Sequence, residues 1–175
     1  QIKKTRFVEA KSNHMFMRLD ENDSQYGILD NLDKVDFSVF DAVIVSDYNK
    51  GFLSEETLAK ISKLHPLTFL DTKKILGPWC EDFTFIKING LEYDKTKHTI
   101  GKELHDKLIV TQGQKGCVHK SQRYNVPLVE VKDVSGAGDT FISALCVKYV
   151  ATKNIEESIK FANSCATRVV QKRGV

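Results

Sequence analysis

The spacing of apolar positions divides the chain into segments of two kinds. Over residues 5–20 apolar and polar residues alternate, with Met15, Met17 and Leu19 on one side of an extended segment and Phe16 and Arg18 on the other, which predicts a strand pair with one buried face. Residues 22–36 are polar and acid-rich without a period and read as a loop or a short helix. Ala42-Val43-Ile44-Val45 is a continuous apolar run, the pattern of a strand buried on both faces of a parallel sheet. Ser54 then caps a helix in which Leu58, Ile61 and Leu64 form one stripe and which Pro66 ends. Thr68-Phe69-Leu70, residues 83–88 and Leu108-Ile109-Val110 predict three more strands. A hairpin turn into Cys117-Val118-His119 follows, and residues 123–131, with Pro127 inside them, read as an edge or a connector. Residues 141–150 are apolar nearly all round, as in a helix lying on a sheet, and Asn154 with Glu157 opens a last helix whose Ile155, Ile159, Ala162, Ala166 and Val169 keep helical spacing. Strands of the buried type alternating with helices define an α/β fold with a mostly parallel central sheet.

Composition narrows the function classes. The chain has 175 residues, enough for one domain with a sizeable core, and its net charge is only +3, which argues against a nucleic-acid binder. The basic pieces Lys3-Lys4-Thr5-Arg6 and Gln171-Lys172-Arg173 read as solvated surface. Four cysteines without a C-x-x-C pair, and five histidines without ligand spacing to them, signal no metal site of their own and fit a reducing, cytoplasmic setting. No apolar run is long enough to span a bilayer and no signal-peptide pattern opens the chain, so no membrane partner is expected. A start at Gln1 instead of Met leads to the expectation that the first residues of a gene product are missing.

The densest chemistry lies in residues 131–141, where an extended apolar segment runs into Ser135-Gly136-Ala137-Gly138-Asp139 and then a helical pattern. Glycines allow a tight turn, so that the N–H groups of Gly136, Ala137 and Gly138 and a helix N-terminus can face one anionic acceptor. Asp139 would repel a phosphate that is merely bound, but it could take a proton from a neighbouring hydroxyl. The combination suggests phosphoryl transfer to a hydroxyl. A dinucleotide loop would need a third glycine where Phe141 stands, and a Walker loop would need Gly-Lys-Ser/Thr, which does not follow Gly138. The competing structural reading makes Ser135 a helix cap and Asp139 a complement to the helix dipole, worth about 0.3–1 kcal/mol. The stretch alone leaves the two open.

Asp133-x-Ser135-Gly136-Ala137-Gly138-Asp139-Thr140-Phe141 resembles the second signature of the ribokinase, or PfkB, family of carbohydrate kinases, with Ser135 where Thr is usual. The resemblance implies a ribokinase-like, three-layer α/β fold, with Gly136, Ala137 and Gly138 as anion hole and Asp139 as catalytic base. It extends to Thr111-Gln112-Gly113-Gln114-Lys115-Gly116, similar to the family's nucleotide loop, and implies nucleotide contacts from Thr111, Gly113 and Gly116, with Asn163 beside the base. Asn89-Gly90-Leu91-Glu92 resembles the family's Asn-x-x-Glu motif and implies a water-mediated Mg²⁺ site; on the residues alone it is equally a capping box. Ser46-Asp47-Tyr48-Asn49-Lys50-Gly51 and Asp71-Thr72-Lys73 are similar to segments of the heptose-phosphate kinase branch, with Thr72 where proline is usual, and imply substrate contacts from Asp47, Lys50 and Lys73.

ATP and Mg²⁺ are therefore the implied cofactors, a monovalent cation is a further candidate, and a sugar or sugar phosphate is the implied partner, with a homodimer as the candidate assembly. The family's amino-terminal sugar-binding part has no counterpart before Gln1. Residues 1–175 then read as the carboxyl-terminal catalytic and nucleotide-binding part of a ribokinase-like domain, with residues 1–20 as the strand pair of a lid or a sheet edge. The alternative is a nucleotide-binding or interaction module without catalysis, or a piece inactive without its missing part.

Overall fold

The computed structural model describes residues 2–12, 15–23, 27–29 and 31–172, so that Arg173 of the basic end lies outside the described residues. Strands β1 (Lys3–Val8) and β2 (Met15–Glu21) form an antiparallel sheet of their own. A six-stranded sheet follows in sequence order: β3 (Val43–Asp47), β4 (Thr68–Thr72), β5 (Phe85–Asn89), β6 (Leu108–Thr111), β7 (Cys117–His119) and β8 (Gln122–Tyr124). The first four run parallel and the last two antiparallel. Helices α1 (Glu55–Leu64), α2 (Gly90–Thr96) and α3 (Lys102–Lys107) join the parallel strands, while α4 (Ala137–Thr152) and α5 (Ile155–Val170) follow the hairpin.

Two buried clusters show how the pleat divides the strands between faces. Val45, Leu70, Ile86, Ile88, Leu108 and Val110 pack with Leu58 and Ile61 of α1 and Leu104 of α3. Phe69, Ile109 and Cys117 point the other way, onto Phe141, Ile142 and Leu145 of α4 and Ile159 and Ala162 of α5. The result is a three-layer α/β/α arrangement, as two-residue alternation within each strand requires. On the α4 side Phe69 and Phe85 stack with centroids 5.5 Å apart, and Tyr149 meets Phe85 edge-on at 4.8 Å.

Several details differ from the reading of the sequence. The β1–β2 pair exists but buries neither face; Phe7, Met17 and Leu19 are exposed. It forms a two-stranded sheet separate from the six-stranded one. Residues 32–34 and 37–39 form single 3₁₀ turns within the segment read as loop or short helix and just beyond it. β3 is an edge strand and runs on to Asp47, so Ile44 is exposed where burial on both faces was expected. In α1, capped by Ser54 as expected, the stripe rotates to Thr57, Leu58, Ile61 and Ser62 and leaves Leu64 exposed. α4 buries one face only, and Val147 is exposed.

Candidate active site

The site grows out of the sheet's α4 side at the carboxyl ends of the parallel strands. Phe69 and Phe85 are register partners there, and two residues further along the same face the partners are Asp71 and Lys87. The core layer thus continues as an ion pair: Lys87 Nζ donates to Asp71 Oδ2 at 2.8 Å, with side chains 8% and 16% exposed. Burial pushes the Asp71 carboxyl up, Lys87 opposes the shift, and the charges of Glu92 and Asp139 add to it. The pair lies against the glycine turn, since a Cβ on Gly138 would stand 2.9 Å from Lys87 Nζ.

That turn delivers α4. Lys132 and Asp133 donate backbone bonds to the Val170 carbonyl, at 2.8 and 3.2 Å, which ties the incoming chain to the end of α5. Ser135 does not cap the helix as the structural reading expected; its N–H donates to Asp133 Oδ1 at 2.8 Å. The N-cap is Gly136 in the left-handed region, at φ 72°, where a side chain is disfavoured. The Ala137 N–H reaches the Val134 carbonyl at 3.3 Å, a long bond for which a phosphate oxygen can compete. Asp139 lies in the first helical turn, exposed, and accepts from the Tyr48 hydroxyl at 3.2 and 3.1 Å to its two oxygens.

On the other side of the turn is a cavity of about 280 Å³. Thr111, Gly113, Gly116, Ala137, Gly138 and Asn163 all line it, so every residue assigned to the nucleotide and two of the three anion-hole positions meet around one space. The remaining walls are largely valine and proline side chains from residues 126–134, a lining suited to a flat aromatic ring. Asn163 is buried, not exposed, and its Nδ2 donates to the Tyr124 carbonyl at 3.1 Å. Gly136 and Asp139 stand outside the cavity, with Asp139 turned toward Tyr48.

Asn89 and Glu92 form the capping box of α2: Glu92 N–H donates to Asn89 Oδ1 at 2.9 Å and Asn89 N–H to Glu92 Oε2 at 2.7 Å. Among the described residues no group of three His, Cys, Asp or Glu side chains is arranged to hold a metal directly. The charges of Glu92 and Asp139 both act on Asp71.

Of the residues assigned to substrate, Asp47 is buried and engaged. It accepts from Thr72 Oγ1 at 2.7 Å and from the Asn49 N–H at 2.9 Å, with Lys74 Nζ at 3.5 Å. This carboxylate ties the ends of β3 and β4 together. Lys50 pairs with Asp23 at 2.8 Å, and Lys73 Nζ stands 4.7 Å from the centre of the Tyr48 ring. Tyr48, Asp71 and Lys87 were not picked out from the sequence. The available signal was topological: polar residues ending adjacent parallel strands become neighbours.

A mostly parallel sheet with a glycine turn, a helix N-terminus and an acid gathered at its carboxyl edge is the arrangement of an α/β protein whose ligand site lies at the strand ends. Residues 82–175 match the pfkB family carbohydrate kinase model, and the chain belongs to that family. It is 32% identical to the bifunctional protein HldE of Nitratiruptor sp., over 98% of this chain and 42% of that protein. To HldE of Marinomonas sp. it is 34% identical, over 77% of this chain and 33% of that protein. The chain therefore spans well under half the length of these relatives. Among solved structures, ribokinase from Thermotoga maritima superposes with TM-score 0.69 at 18% identity, covering 98% of this chain and 63% of that one. Arabidopsis thaliana ribokinase complexed with ribose and ATP gives 0.62 at 21%, covering 77% and 51%. The fold is ribokinase-like.

Proposed function

We propose that this chain carries the ATP and catalytic side of a sugar or sugar-phosphate kinase, with a heptose phosphate as the leading acceptor because the relatives named above are HldE proteins. One observation carries the reading: the turn at Gly136–Gly138 separates an apolar cavity from the Asp139 carboxylate, so a phosphoryl donor on one side and an acceptor hydroxyl on the other meet across it.

The adenine ring fills the cavity beside Asn163, and the phosphates run along the loop of Thr111 and Gly113 toward the turn. Asp139 accepts the proton of the acceptor hydroxyl as the new O–P bond forms and the bond to the β-phosphate bridging oxygen breaks, releasing ADP. The amides of Gly136, Ala137 and Gly138 hold the transferred group. Asn89 and Glu92 would hold Mg²⁺ through its waters, and the ion would supply charge neutralisation. Residues 1–175 act as the carboxyl-terminal part of the domain, and the exposed β1–β2 ribbon is its lid and a surface for a homodimer. Among the described residues no helix is long and apolar enough to cross a membrane.

General-base catalysis contributes about 10²- to 10⁴-fold, or roughly 3–5 kcal/mol of barrier. Asp139→Asn is therefore expected to lower kcat by that factor while ATP affinity stays within about twofold. The measurement is coupled ADP release across a panel of sugar phosphates, with ATP binding by calorimetry. Wild-type turnover in the variant would refute the assignment of the base. The coverage of the relatives supports a second reading, a nucleotide-binding part that needs further residues to hold the acceptor. ATP binding without ADP release on any acceptor would favour it.

A further inference from the structure

Tyr48 lies 91 residues from Asp139 in the chain, yet its hydroxyl is 3.2 and 3.1 Å from the two oxygens of that carboxylate. It follows β3 at the sheet edge and comes two residues after Ser46, the register partner of Asp71, so it continues the strand face that carries the Asp71–Lys87 pair. The ring is held from outside by the Lys73 ammonium, 4.7 Å from its centre. Donation to both oxygens restrains rotation of the carboxylate about its terminal torsion, which is otherwise broad. It also leaves acceptor capacity, because an ionised carboxylate offers about four lone-pair sites.

We propose that Tyr48 is the positioning residue of the base, its hydroxyl fixing the Asp139 carboxylate so that a remaining lone pair faces the acceptor hydroxyl. The inference rests on the kinase reading above. Tyr48 transfers no proton in the reaction: burial, and after it the Asp139 charge, hold its phenol above the ordinary value of 10.0, so it stays a donor at neutral pH. The proton leaving the acceptor goes to Asp139, and the Tyr48 O–H bond remains intact throughout.

Tyr48→Phe keeps the ring under Lys73 and deletes only the hydroxyl. It is expected to lower kcat about 10-fold with the KM for ATP and for acceptor each within about twofold. Because Tyr48 acts through Asp139, adding Tyr48→Phe to Asp139→Asn is expected to leave the residual rate unchanged, a cycle that a merely structural role would not produce. Wild-type kcat in Tyr48→Phe would overturn the proposal, as would an equal factor lost in both backgrounds. A readout independent of turnover is the titration of Tyr48 followed by NMR of ring-labelled tyrosine, assigned through Tyr48→Phe. Asp139→Asn is expected to bring its midpoint down toward 10.0, with Asp71 and burial keeping part of the shift. An unchanged midpoint would refute the contact and the proposal with it. A lowered midpoint in a protein that turns over no acceptor would instead refute the kinase reading while leaving the hydrogen bond in place.

Discussion

Gly116 offers the sharpest test of how the cavity is built. It sits at φ 75° and ψ −130°, outside the left-handed helical basin and in a region comfortable only for glycine. A Cβ there would stand 2.0 Å from the Tyr124 carbonyl oxygen, 3.0 Å from its carbon and 3.2 Å from Asn125 Cα, all backbone atoms. To reach the 3.4 Å of ordinary contact, the oxygen must retreat by 3.4 − 2.0 = 1.4 Å. The same oxygen accepts the hydrogen bond from buried Asn163 at 3.1 Å, which such a shift breaks. Backbone strain of about 1–3 kcal/mol, overpacking of about 1–3 and a lost hydrogen bond of about 1 overlap as the loop relaxes, so Gly116→Ala is expected to cost about 3–5 kcal/mol. Gly113→Ala is the control: φ is 56° with nothing within 4 Å, and its cost should be about 1 kcal/mol. Urea unfolding followed by far-UV circular dichroism and by the single tryptophan, Trp79, gives both values. Equal losses in the two variants would refute the steric argument and with it the placement of β8 against this loop.

Other consequences can be checked in the same way. Lys87→Met leaves Asp71 buried beside Glu92 and Asp139 without its counter-ion, and should destabilise by about 2–4 kcal/mol at pH 7; Lys87→Met with Asp71→Asn should recover much of the loss, and no recovery would sink the pairing argument. His119 is buried, with Nδ1 on the Leu108 carbonyl at 2.9 Å, and burial lowers its pKa from 6.5. The unfolded chain then binds the proton more readily than the fold, so the His119 contribution is present above pH 6.5 and is lost as pH falls through the folded value. His119→Gln should flatten the dependence of the urea midpoint between pH 7 and about 5, and an unchanged slope would count against it.

The strands of the parallel sheet were legible because a strand covered on both faces must be apolar at successive positions, as Leu70, Ile86, Ile88, Ile109 and Val110 are. Which strand lies at the edge was not legible: Ala42-Val43-Ile44-Val45 reads like its neighbours, and only the strand order leaves Ile44 exposed. The α1 stripe was misplaced because its buried face includes Thr57 and Ser62, whose hydroxyls are absorbed by Ser54 and the Ala59 carbonyl; hydropathy alone prefers Leu64. The β7–β8 turn escaped for a similar reason. Lys120 and Ser121 both adopt positive φ in it, without the Asn-Gly pair that usually announces such a turn.

Where glycine carries the unusual backbone geometry, as in the turn before Asp139 and the loop of Gly113 and Gly116, the loop could be found without a structure. Side chains that work through register cannot be found so easily. Lys87 in Phe85-Ile86-Lys87-Ile88 reads as the solvent side of a strand until the partner strand is known, and Tyr48 reads as one more polar-loop residue. The two faces of the sheet also divide the work at the strand ends. On the α1 side Asp47 and Thr72 are register partners that satisfy each other, at 2.7 Å, and close that side. On the α4 side the layer of Phe69 and Phe85 gives way to Asp71, Lys87 and Tyr48, and the helix packed on that face brings Asp139 to them. The candidate site thus lies where a core layer ends and its covering helix begins, so the residues packing α4 onto Phe69 and Phe85 also set the distance from Tyr48 to Asp139.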